Sequence, residues 1–156
     1  PVTGFYKAER ELLKLIIEKD IVRRNITDNI DEKYFTNKNT KKIAHVLFNE
    51  IRQNPEREIN VSYLFNYLDE EGCTELSSII TTEYAEKIND ELIESLIAKV
   101  KEGYLKESIA KVREQLKQAE ILGIREEINY LLNMYQQLKA EMDELISHST
   151  PGKEGV

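Results

Sequence analysis

Between Asn89 and Ile146 the chain carries two apolar stripes at helical spacing, separated by only a few residues. In the first arm Leu105, Ile109, Val112, Leu116 and Ala119 recur four and three residues apart. In the second, Ile124, Ile128, Leu131, Tyr135, Leu138, Met142 and Leu145 do the same. Such a period lines apolar side chains along one side of an α-helix. Arms joined by so short a connection must fold back on each other, and the expected product is an antiparallel helical hairpin. Gly123 stands where a helix-terminating glycine belongs, since glycine takes a positive φ without steric cost.

Upstream of Gly103 the apolar positions are Ile93, Ile97, Val100 and Tyr104. Passing from Tyr104 to Leu105 shifts the stripe by one residue, about 100° around a helix. A helix packed against one body has no reason to change face there. The expectation is a long helix serving two bodies, with Gly103 at the joint as a bend or a full break. The alternative is a helix of a single bundle with an irregular stripe. The expected division is a helical bundle over 1–102, a helical hairpin over 103–147, and a disordered tail over 148–156 that ends STPGKEGV.

Ahead of the long helix the pattern is also helical. Phe5, Ala8, Leu12, Leu15 and Ile16 give one face to a helix from about Thr3 to Lys19. Asp20 is the expected N-cap of a second helix with Val22 and Ile26 inward. Asn37 or Asn39 caps a third, carrying Ile43, Val46, Leu47 and Ile51 and ending near Gln53 ahead of Pro55. Asn60 caps a short helix with Val61, Leu64, Phe65 and Leu68 inward, and Gly72 is its expected terminator. Glu75 to Thr81 forms one more short helix, and the long helix begins between Glu83 and Asp90. No stretch alternates with period two over the length of a strand, so the fold class is all-α: a multi-helix bundle joined through a long helix to a C-terminal antiparallel hairpin.

Charge and composition narrow the chemistry. The formal net charge of -7 argues against strong direct nucleic-acid binding, which needs a basic surface; a local basic patch would work against the overall sign. No apolar run approaches the roughly 20 residues that cross a bilayer, so no membrane partner is expected. A single cysteine, Cys73, forms no internal disulfide and suits a cytoplasmic setting. The chain begins at Pro1 and reads as a piece of something longer.

Catalytic, cofactor and metal sites are not expected. The glycines form no phosphate-binding loop, and two separated histidines with one cysteine supply no zinc ligand set. His45, mid-helix beside apolar neighbours, reads as a partly buried structural histidine, and His148 falls in the tail. The acidic runs Asp31-Glu32 and Asp69-Glu70-Glu71 read as solvated residues flanking helices.

Three segments in order carry a family resemblance: KAERELLKLII at Lys7 to Ile17, Tyr34-Phe35, and NKNTKKIAHVLFNEI at Asn37 to Ile51. Their order resembles the helicase-interaction domain at the C-terminus of bacterial DNA primase, and equally the N-terminal domain of the replicative helicase, which shares that fold. AEILGIREEINYLLNMYQQLKAEMDEL with a short tail resembles the last helices of primase, whereas a linker and an ATPase domain follow in the helicase. Asn39 departs from the pattern, relatives more often carrying a histidine there. The resemblance implies a non-catalytic module whose hairpin docks on the N-terminal domains of the hexameric helicase and whose bundle influences helicase activity. The carboxylate cluster and zinc domain of the parent enzyme match no part of this sequence. A different class of reading is a self-associating helical scaffold; the recruitment module should be a monomer when alone.

Partner-contact candidates are the apolar residues off the seam, since a lone hairpin buries one face of each arm. They are Ile121 and Leu122 at the turn and Tyr130, Leu132 and Met134 on the second arm. Gln136 joins them because the resemblance places its position at the helicase contact.

Overall fold

The structure is a computed structural model and describes residues 4–84 and 87–148. The described residues contain seven α-helices, one short 3-10 turn and no strand, so the chain is all-α. In order these are α1 (Gly4–Glu18), α2 (Asp20–Asn29), the 3-10 turn Glu32–Tyr34, α3 (Lys38–Gln53), α4 (Val61–Asn66), α5 (Glu70–Thr81), α6 (Asp90–Leu122) and α7 (Arg125–His148). The chain divides into two compact units, 1–100 and 101–156.

In the first unit, α1 packs against α2, α3 and α5. Leu12, Leu13, Ile16, Ile26, Phe35, Ile43, Leu47, Leu64, Leu76, Ile79 and Ile93 are almost wholly removed from water. Phe35 meets Phe48 with ring centroids 5.9 Å apart at a tilted 58°, a favourable aromatic arrangement.

Polar side chains of α1 join its neighbours at their helix ends. The buried Glu9 carboxylate sits at the N-terminus of α3, where the helix dipole favours negative charge. It accepts from the Thr36 N–H at 3.0 Å, the Asn37 side-chain amide at 3.0 Å and the Thr40 hydroxyl at 2.8 Å. Burial pushes the Glu9 carboxyl above its usual range, against the lowering effect of those hydrogen bonds. Lys14 donates to the Ile80 carbonyl at 2.6 Å, at the C-terminal end of α5. Arg10 bridges α1 to α5 through Glu75 at 3.1 Å and the Ser78 hydroxyl at 2.7 Å, and Tyr6 also bonds Glu75. Arg23 of α2 performs the same task for α1, donating to the carbonyls of Ile16 at 2.6 Å and Ile17 at 3.1 Å. Cations at helix C-termini and an anion at an N-terminus satisfy groups the helices leave open.

These bonds correct several sequence expectations. Lys19, not Asp20, holds the N-cap position of α2; Asp20 is its first residue and pairs with Arg23 at 2.6 Å. Asn37 is the N-cap of α3 but makes no side-chain cap bond; its side-chain NH2 donates to Glu9. Asn60 does cap α4, accepting from the Tyr63 N–H. Gly72 terminates nothing. It lies in the first turn of α5, which starts earlier than Glu75, and donates its N–H to the N-cap Asp69 at 2.8 Å. A Cβ there would lie 3.0 Å from that carboxylate and 3.2 Å from Leu68. Asp69 pairs with Lys42 at 2.6 Å and Glu71 with Lys38 at 2.9 Å; the lysines hold both carboxyls below their usual range, aided at Asp69 by the Gly72 N–H. His45 is exposed, not partly buried, with Nδ1 3.0 Å from Glu32. His148 closes α7 and does not belong to a tail. The proposed disordered tail otherwise lies outside the described residues.

α6 is helical from Asp90 to Leu122, so the full break allowed at Gly103 does not occur. Its start is capped by Asn89, whose side chain accepts from the Leu92 N–H at 2.8 Å. Ile93, Leu96, Ile97 and Val100 are buried in the first unit, and Leu105, Ile109, Val112 and Ala119 in the second.

Two expected outcomes follow from this organisation. Glu9→Ala leaves the donors of Thr36, Asn37 and Thr40 facing an apolar gap and should cost about 3 kcal/mol, read as a lowered urea midpoint with unchanged slope. A fragment ending at Lys101 should retain a cooperative thermal transition, read by circular dichroism; a gradual melt would show that the first unit lacks a core of its own.

Candidate partner-binding surface

The second unit consists of the C-terminal part of α6 and α7. Gly123 has φ +68°, the left-handed conformation in which glycine carries no penalty. Its N–H bonds the Glu120 carbonyl at 3.2 Å, and the Ile124 N–H bonds the Ala119 carbonyl at 3.2 Å. This pair of bonds is the Schellman closure of a helix. α7 restarts at once, with the Ile128 N–H on the Ile124 carbonyl at 3.0 Å and Glu126 and Glu127 at its positive end.

Two apolar clusters join the helices. Leu105 and Ile109 of α6 gather with Met142 of α7, flanked by Tyr104, Tyr135, Leu138 and Leu145. Nearer the turn, Val112 and Ala119 gather with Leu131, flanked by Leu116, Ile128, Met134, Tyr135 and Leu138. Early α6 residues meet late α7 residues, so the two segments run antiparallel. Ile124 is the exception in the sequence stripe: it is 43% exposed, because it belongs to the cap and precedes the helix.

The six contact candidates do not share one environment. Ile121, Leu122 and Tyr130 are 77%, 69% and 64% exposed, and Leu132 is 41% exposed. Gln136 is exposed too. Met134 is not an off-seam residue: it is half-buried and packs on the cluster of Val112, Ala119 and Leu131. Four residues after Tyr130, it lies only about 60° from Leu131 around the helix, close enough for a long flexible side chain to reach the seam.

Helical geometry also separates the rest. Tyr130 and Leu132 lie on either side of Leu131, each about 100° away, so they face opposite flanks of the seam. On α6, Lys111 and Arg113 flank Val112 in the same way. Arg113 donates to the Tyr135 hydroxyl at 3.2 Å and its guanidinium lies 5.6 Å from that ring centroid. Arg113 lowers the Tyr135 pKa from its ordinary value. Tyr135 leans from the seam toward the Leu132 side, so this bond identifies the flank shared by Arg113, Leu132 and Gln136. Tyr130 and Lys111 lie on the other. Sequence spacing alone did not reveal the Arg113–Tyr135 bond, which depends on the register between the helices.

Among the described residues no group of three or more histidine, cysteine or acidic side chains is placed to hold a metal ion. No helix there is long and apolar enough to cross a membrane. Comparison of the chain with family models, curated proteins and solved structures gives no match.

Replacing Met134 and Leu132 separately should expose their different roles. Met134→Ala should lower stability by about 1–2 kcal/mol through lost seam packing. Leu132→Ala should change it by less than about 0.5 kcal/mol. Thermal melts of the two variants measure the difference.

Proposed function

We propose that this chain is a non-catalytic protein-interaction module, the C-terminal helicase-binding domain of a bacterial DNA primase. It engages the N-terminal domains of the hexameric replicative helicase and couples primer synthesis to unwinding at the cytoplasmic replication fork. The observation that carries the reading is that the second unit exposes large apolar residues outside its own seam, among them Ile121, Leu122, Tyr130 and Leu132. Exposed aliphatic and aromatic side chains on a short two-helix unit suit the helix-face mode of recognition. The ordered resemblance of Lys7–Ile17, Tyr34-Phe35 and Asn37–Ile51 to primase supplies the identity of the partner.

In this reading the first unit regulates the helicase and the second docks on it. The module needs no cofactor, is a monomer alone, and leaves nucleotidyl transfer to other domains of the parent enzyme. Holding the first unit close to the helicase raises its effective concentration there, so binding and regulation are separable.

Isothermal calorimetry with a purified hexameric replicative helicase tests the proposal. The wild-type chain should bind, and Ile121→Ala with Leu132→Ala should weaken binding by about 2 kcal/mol while leaving helical content unchanged. Absence of wild-type binding removes the primase reading.

A further inference from the structure

The second unit is electrostatically two-sided. Counted at about 100° per residue from Val112 and Leu131, Arg113 and Lys117 of α6 and Arg125 and Lys139 of α7 fall on the flank of Leu132 and Gln136. The Arg113–Tyr135 bond ties the two helices' shares of this flank together. Lys106 lies there as well, paired with Glu102 at 3.3 Å; Glu120 and Asp143 are the other acids on this side. The opposite flank, with Tyr130, carries Glu107, Glu126, Glu141 and Glu144 against Lys111. A basic side therefore stands out in a chain whose formal net charge is -7.

Resting on the proposed helicase-binding role, we infer that the docking face is this basic flank, with Leu132 as its apolar anchor, and that the partner presents an acidic protein surface around an apolar recess. Leu132 lies on it between cations contributed by both helices. Lys117 and Arg125 are exposed, so they can reach a partner without disturbing the seam. The acidic flank would repel the same surface, and this sets the orientation of docking as well as its strength. The interspersed Glu120 and Asp143 favour a protein surface over a phosphate backbone, along which those carboxylates would meet like charge.

Charge reversal in the full chain separates the possibilities. Lys117→Glu with Arg125→Glu should weaken helicase binding at least about tenfold at low salt, with a smaller difference at high salt. The opposite-flank variant Glu107→Lys with Glu144→Lys should bind as tightly as wild type or more tightly. All these positions are exposed, so melting curves should be unchanged within about 0.5 kcal/mol. Wild-type binding that survives reversal of the basic flank overturns the face assignment and leaves the helicase reading intact. Absence of wild-type binding overturns both. Binding of a single-stranded DNA oligonucleotide lost on basic-flank reversal, or a wild-type dimer in sedimentation lost on the same reversal, assigns the flank to nucleic acid or to a second copy and overturns the inference.

Discussion

Glu9 is 2% exposed, and the first unit is arranged so that its carboxylate has somewhere to go. A buried carboxylate without donors would cost several kcal/mol. Here the backbone and side-chain donors of Thr36, Asn37 and Thr40 converge on it from the start of α3. The helix it serves thereby becomes fixed to α1. Arg10 and Lys14, one and five residues further along α1, fix α5 through Glu75, Ser78 and the Ile80 carbonyl. Hydrophobic burial supplies most of the driving force, but apolar stripes alone permit several packings. The charged contacts reward the one in which each helix end meets the correct sign.

The second unit is specified differently. Its seam contains no comparable buried carboxylate; Leu105, Ile109, Val112, Ala119, Leu131 and Met142 make the buried contacts. Direction is imposed by the turn, where Gly123 lets α6 close its final carbonyls and α7 begin two residues later. Register is read at the rim, where Arg113 meets Tyr135. A seam of this kind covers one side of each helix and leaves the outer surface to solvent or a partner. The exposed residues at the turn and on α7 follow from that geometry.

This contrast bears on function. The first unit exposes Ile21 and Tyr67, but its helix-joining polar groups are committed to one another, and among the described residues no buried side-chain nitrogen or oxygen lacks a partner. The second unit presents Leu122, Tyr130 and Leu132 on helices rather than loops, so their spacing is held by backbone hydrogen bonds. A surface preorganised in this way loses less conformational entropy on binding.

The sequence by itself determined the all-helical class, because its apolar period is that of a helix throughout, and it determined the left-handed turn at Gly123. It also contained the α6 positions that the two units bury, although Tyr104, read as the end of the first stripe, packs on the Leu105, Ile109 and Met142 cluster of the second unit. It could not place Glu9, Arg10 or Arg23: a charged residue on an amphipathic helix looks solvated until another helix end is brought against it. For that reason Asn37 read as one of two candidate caps, beside Asn39, and not as a partner of Glu9. Met134 was misplaced because its angle on the helix is intermediate, and only the width of the seam decides whether its side chain reaches it. The two charged flanks of the second unit were present as letters in the sequence. Tertiary structure alone decided which residues of α6 and α7 share a side, because that depends on antiparallel register, a relation between segments that the periodicity of neither one contains.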